Sequence, residues 1–142
     1  HFMALPTKAA EQSAFLYEEE LKRYYDADEL DPARPLFDLV LMGLGEDGHT
    51  ASLFPGSPAL DERKRWVTSV ENAGQPPFVS RVTLTFPALE STREMLFLVS
   101  GTAKRSALAR VLAGEDLPAA RARPIGRLRW LTDRAAAPEH AS

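Results

Sequence analysis

Residues 36–42, Leu36-Phe37-Asp38-Leu39-Val40-Leu41-Met42, are nearly all apolar and run straight into Gly43. So short an apolar run, ending at a glycine, has the length of a strand. Its lack of alternation predicts a strand buried on both faces, as in a parallel sheet. Further strands are expected at 66–70, 81–85, 95–100 and 128–132, with a break at Gly74 to Pro77 between the first two of these. Residues 7–25 predict an amphipathic helix. Ala10, Ala14, Tyr17, Leu21 and Tyr24 recur at helical spacing, Glu11, Glu18, Glu19 and Lys22 lie outside that stripe, and Thr7 is placed to cap it. Residues 26–35 hold two prolines and several acids and read as a loop. Residues 102–113 read as a second helix, with Ala107, Leu108, Val111 and Leu112 on one face and Gly114 as its stop. Strands mixed with helices argue for an α/β layered sheet.

The 142 residues suit one domain with a real core. A net charge of -3 gives no basic field for nucleic acid or an acidic membrane. Without cysteine there is neither a disulfide nor thiolate chemistry, which permits a cytoplasmic setting. The longest apolar run is far too short to cross a bilayer, and no signal-peptide pattern opens the chain. The opening His1-Phe2-Met3 is read in two ways, as a remnant before a true start at Met3 or as the middle of a longer protein.

The most informative segment is Gly43-Leu44-Gly45-Glu46-Asp47-Gly48-His49-Thr50. It follows the first strand, and open α/β sheets bind ligands at the C-terminal ends of their strands. Glycines let the backbone turn tightly and approach a ligand. Asp47 and His49, two residues apart, supply a carboxylate and a base that titrates near neutral pH. Gly43, Gly45 and Gly48, with Glu71 further on, also fit a dinucleotide fingerprint. That reading is rejected. Glu46 and Asp47 would face the pyrophosphate, and Pro55 would break the helix that should receive it. The plainer reading of the loop, glycines in a turn and a histidine bonding locally, is outweighed by the glycine clustering and the strand-end position.

The run from Gly43 through Ala51-Ser52-Leu53-Phe54-Pro55-Gly56 closely resembles the signature of the 6-phosphogluconolactonases. The resemblance continues through Arg81-Val82-Thr83-Leu84-Thr85, Gly101-Thr102-Ala103-Lys104 and Leu128-Arg129-Trp130-Leu131-Thr132-Asp133. It implies an α/β fold, a mainly parallel sheet flanked by helices in a Rossmann-like arrangement. It implies hydrolysis of 6-phosphogluconolactone to 6-phosphogluconate in the oxidative pentose phosphate pathway, in the cytoplasm and without a cofactor. His49 is expected to activate water and Asp47 to orient it. Glu46 is nearby and reads equally well as a solvated loop acid. Gly45 and Gly48 are expected to let substrate approach, and Arg81 to meet its phosphate. Lys104, in the first turn of the second helix, opposes the helix dipole, a conflict that a bound phosphate would relieve. Plainer readings make both cations surface charges.

Ser52 lacks the Gly-x-Ser-x-Gly elbow of a nucleophile. Leu53 and Phe54 are expected to pack. The three histidines lack ligand spacing, so no metal site is expected. Glucosamine-6-phosphate deaminases share the Asp-Gly-His loop but carry a glutamate before the following proline, where this chain has Phe54. A module that binds a sugar phosphate without turnover is a further alternative. Family members begin with an earlier Ser/Gly/Thr-rich phosphate loop that has no match here, and the segment from His1 to Pro6 resembles the family's mid-chain. Residues 1–142 are therefore expected to be the C-terminal part of a single domain. Such a piece would pair with a missing N-terminal half or associate with itself.

Overall fold

In the computed structural model, which describes residues 9–71 and 79–138, the first apolar run forms β1, Phe37–Met42. It pairs in parallel with β4, Thr92–Val99, and β4 pairs in parallel with β5, Arg127–Thr132. Phe37 stands opposite Thr92, and Phe97 opposite Trp130. Two further strands, β2 (Val67–Val70) and β3 (Arg81–Leu84), form a separate antiparallel pair. The expectations at Thr7 and at 74–77 fall outside the described residues.

One face of the parallel sheet is built from Val40, Met42, Met95, Phe97 and Val99, all buried. Helix α3 (Arg105–Leu112) covers it with Ala107, Leu108 and Val111, and α4 (Pro118–Arg121) adds Ala119. Leu53 and Phe54 fill the same core. Burying side chains of this size stabilises by about 1.5–3 kcal/mol each. Gly114 ends α3 at φ 81°, as its position predicts. The other face is open, which corrects the expectation that β1 is buried on both sides. Leu39 is 51% exposed and Leu41 59%, with Leu98 at 45% and Leu131 at 60% beside them. The composition of β1 suits a doubly covered strand, and the described residues cover only one side of it.

Helix α1, Ala10–Tyr25, packs on the antiparallel pair. Its buried stripe is Ala14, Glu18, Leu21 and Tyr25, so Tyr24 is exposed and Glu18 is not. Both reverse the expected faces. The stripe still keeps four- and three-residue steps, but a carboxylate occupies one position. Glu18 accepts the amides of Trp66 at 2.9 Å and Val67 at 3.1 Å and pairs with Lys22 at 2.9 Å. The helix stops where Asp26 turns left-handed (φ 58°). A five-residue helix, α2 (Phe86–Glu90), links the hairpin to β4. Its Ala88 joins the second core, made with Trp66, Val67, Leu21 and Tyr25. No described helix is long and apolar enough to cross a membrane.

Candidate functional site

Because β1, β4 and β5 run parallel, residues 43–50, 100–104 and 133–136 all emerge at one end of the sheet. The first of these segments closes on itself. Gly45 donates its amide to the His49 carbonyl at 2.8 Å, and Gly48 donates to the Gly45 carbonyl at 3.0 Å. The Thr50 hydroxyl donates to the Gly43 carbonyl at 2.8 Å. From across the fold, Ala119 donates to the Gly48 carbonyl at 3.0 Å. The loop is thus tied to the end of its own strand and to α4.

This closure brings Asp47 and His49 together. Asp47 Oδ1 accepts the His49 amide at 3.0 Å and lies 2.5 Å from His49 Nδ1. A carboxylate at Nδ1 assigns the hydrogen of the neutral ring to that nitrogen and leaves a lone pair on Nε2. Both side chains are partly exposed, at 23% and 24%. A base held by an acid on one nitrogen can use the other to take a proton from water.

Gly45 and Gly48 serve this pair in different ways. A Cβ at Gly45 would lie 2.0 Å from His49 Nδ1, so the imidazole occupies the space that any side chain there would need. Gly48 has φ 87°, and a Cβ on it would meet Leu117 at 2.9 Å. Phe54 packs as expected, but against the imidazole itself: the ring centres are 4.6 Å apart. The Arg81 guanidinium lies over the other partner of that contact, 5.6 Å from the Phe54 ring centre. Arg81 therefore joins the loop through Phe54. Ser52 uses its amide to reach Thr83 Oγ1 at 3.2 Å.

Lys104 stands on the neighbouring segment. It ends a 3-10 turn, Thr102–Lys104, and caps α3 from outside, which corrects the expectation of a place within the first helical turn. Gly101 (φ 92°) opens this turn, and the Lys104 amide returns to its carbonyl at 3.1 Å. A cleft of about 540 Å³ also borders Phe54. Its polar walls are Ser57, Glu62, Thr68, Ser69 and Glu71, hydroxyls and acids with no cation to hold an anion, and His49 is not among them. Among the described residues, no three His, Asp or Glu side chains converge as a metal site requires.

Phe54 as a partner of the imidazole, and the supports from Thr50 and Ala119, carry no signature in the loop's own sequence. The only sequence signal for the last is Pro118, which starts α4.

A family model described as glucosamine-6-phosphate isomerases/6-phosphogluconolactonase matches residues 1–130. The chain belongs to that family. A human relative named 6-phosphogluconolactonase is 39% identical over 136 residues, covering 93% of this chain and 51% of its own length. One of the same name from Synechocystis is 43% identical over 138 residues, covering 93% and 55%. The solved 6-phosphogluconolactonase from Trypanosoma cruzi is 29% identical, with a TM-score of 0.72 over 96% of this chain and 56% of its own. The chain thus spans about half the length of these glucosamine-6-phosphate isomerase/6-phosphogluconolactonase relatives, in the family's α/β fold.

Proposed function

We propose that this chain carries the water-activating part of a cytoplasmic 6-phosphogluconolactonase. The observation that carries the reading is the Asp47–His49 pair, seated on Gly45 at the C-terminal end of a parallel sheet. His49 Nε2 takes a proton from water as the oxygen attacks the lactone carbonyl. The tetrahedral intermediate then expels the ring oxygen, which leaves with that proton returned from the imidazolium. The products are a hydroxyl and an open carboxylic acid, which releases its proton to solvent to become the carboxylate, and the histidine is regenerated. Asp47 keeps the ring in register and stabilises its transient charge. Arg81 and Lys104 meet the substrate's phosphate. We further propose that these residues are the later part of one domain, and that an earlier part completes the phosphate site.

The family also includes enzymes that work on glucosamine 6-phosphate. Isomerisation there needs an acid to move protons at carbon. The residue before Pro55 is Phe54, whose apolar ring lies on His49, and this favours hydrolysis. The test is lactonase activity against 6-phosphogluconolactone, corrected for spontaneous hydrolysis, with His49→Ala alongside. The variant is expected to lose about 10²–10⁴-fold. Equal activity in both proteins would remove His49 from the mechanism. Efficient ammonia release from glucosamine 6-phosphate would overturn the choice of reaction.

A further inference from the structure

The segment that follows β5 grips the Lys104 turn on both sides. Upstream of the lysine, Asp133 Oδ2 accepts the Ser100 hydroxyl at 2.7 Å. Both carboxylate oxygens accept the Gly101 amide, at 3.2 and 3.1 Å. Downstream, Arg105 Nε donates to the Ala135 carbonyl at 3.0 Å. The grip is itself braced, because Asp133 Oδ1 accepts the Ala136 amide at 2.7 Å and Ala136 is fully buried. Asp133 is also tied to the sheet, donating its amide to the Val99 carbonyl at 3.3 Å.

Gly101 needs such a partner. At φ 92° and ψ 152° it reverses the chain just beyond β4, and its amide would otherwise compete for water. The Ser100 hydroxyl, then the Ala136 and Gly101 amides, hold the Asp133 carboxyl below the usual carboxylate range. The group therefore stays an anionic acceptor across the neutral range. These donors also absorb much of its charge, which lessens its repulsion of an anion bound nearby.

We propose that Asp133 is a positioning residue for phosphate binding, fixing the turn from Ser100 to Lys104 so that the lysine can meet the phosphate of a phosphorylated sugar. The inference rests on the phosphate role proposed for Lys104. Asp133 does not touch substrate. It acts by removing the freedom the turn would otherwise lose on binding.

The probe is inorganic phosphate, titrated into the full chain and followed through the amide resonances of residues 101–105. Wild type, Lys104→Ala, Asp133→Ala and Asp133→Asn are compared, with thermal melting of each. Phosphate is expected to move these resonances in the wild type. Lys104→Ala and Asp133→Ala should each weaken binding by about tenfold. Asp133→Asn, which keeps one acceptor oxygen, should fall between wild type and Asp133→Ala while melting close to the wild type. This partial rescue separates positioning from loss of fold, and Asp133→Asn decides the matter if Asp133→Ala does not fold. Wild-type affinity in both Asp133 variants would overturn the proposal, as would no phosphate response at residues 101–105 in the wild type. A response indifferent to Lys104→Ala would remove the role on which the inference rests, and the inference with it. Inorganic phosphate needs no turnover, so failure of the hydrolase reading at His49 would leave these outcomes readable.

Discussion

At position 45 the fold has room for a hydrogen and nothing more, since the His49 imidazole stands where a methyl group would be. Gly45→Ala must therefore push the ring away from its seat and from Asp47. If His49 is the base, the variant should lose on the order of 10²-fold or more in kcat. Its far-ultraviolet dichroism and melting should change little, because the loop lies at the sheet end. Steady-state kinetics with wild-type kcat in Gly45→Ala would show that the seat does not matter. The sequence motif marks Gly45 and Gly48 alike and suggests one reason for both, backbone approach to a ligand. The physical reasons differ. Gly45 makes room for a side chain four residues on, and Gly48 adopts a left-handed angle beneath Leu117, which arrives from far along the chain. The Asp47–His49 contact is legible because both partners lie in one short loop. The contact of Phe54 with His49 depends on the tight turn between them, in which Leu53 donates its amide to the Thr50 carbonyl at 2.9 Å, and the contact of Arg81 with Phe54 on how the hairpin folds back; a hydropathy pattern records neither.

Helix α1 shows what an element can hide from a hydropathy pattern. The hydropathy stripe runs through Tyr24, yet the packed face carries Glu18 and Tyr25. A carboxylate is admitted there because Trp66 and Val67 offer two amides and Lys22 a charge. Burial alone would raise the pKa of Glu18, but Lys22 and the two amides outweigh it and the carboxyl is held low. A depressed folded value contributes stability above the unfolded pKa. That stability is lost as pH falls through the folded value. Glu18→Gln should cost about 1–3 kcal/mol near neutral pH. The difference from wild type should shrink as the pH is taken below 4.5, the ordinary glutamate value. Urea midpoints for the two proteins across that range would measure it, and a gap that persists in acid would remove the charge from the explanation. The strands were readable for a simpler reason: β1 and the later part of β4 are short apolar runs, and β2, β3 and β5 set apolar residues among polar ones over a strand's length. The short helices α2 and α4 were not, because four or five residues carry no period. Nor does apolar character alone say that β2 and β3 leave the parallel sheet to pair with each other.

At the scale of the molecule, the open sheet face is the dominant fact. Leu39, Leu41, Leu98 and Leu131 form an apolar surface of the kind parallel sheets normally cover. The chain's relatives are about twice as long as the stretch it matches. The 142-residue chain alone should therefore associate as its concentration rises, which sedimentation velocity would detect. Leu41→Glu combined with Leu131→Glu should shift the boundary to monomer. A wild-type chain that sediments as a monomer at every concentration would show that the face is not adhesive. The division into two hydrophobic clusters has a practical consequence as well. The chain has two tryptophans, and each cluster holds one. Trp66 lies in the cluster under α1, and Trp130 stacks on Phe97 at 4.0 Å beside the larger one. Replacing either with phenylalanine leaves a single tryptophan, which can be excited apart from the three tyrosines. Its emission then reports one cluster alone, so the two halves of the molecule can be watched separately without an added label.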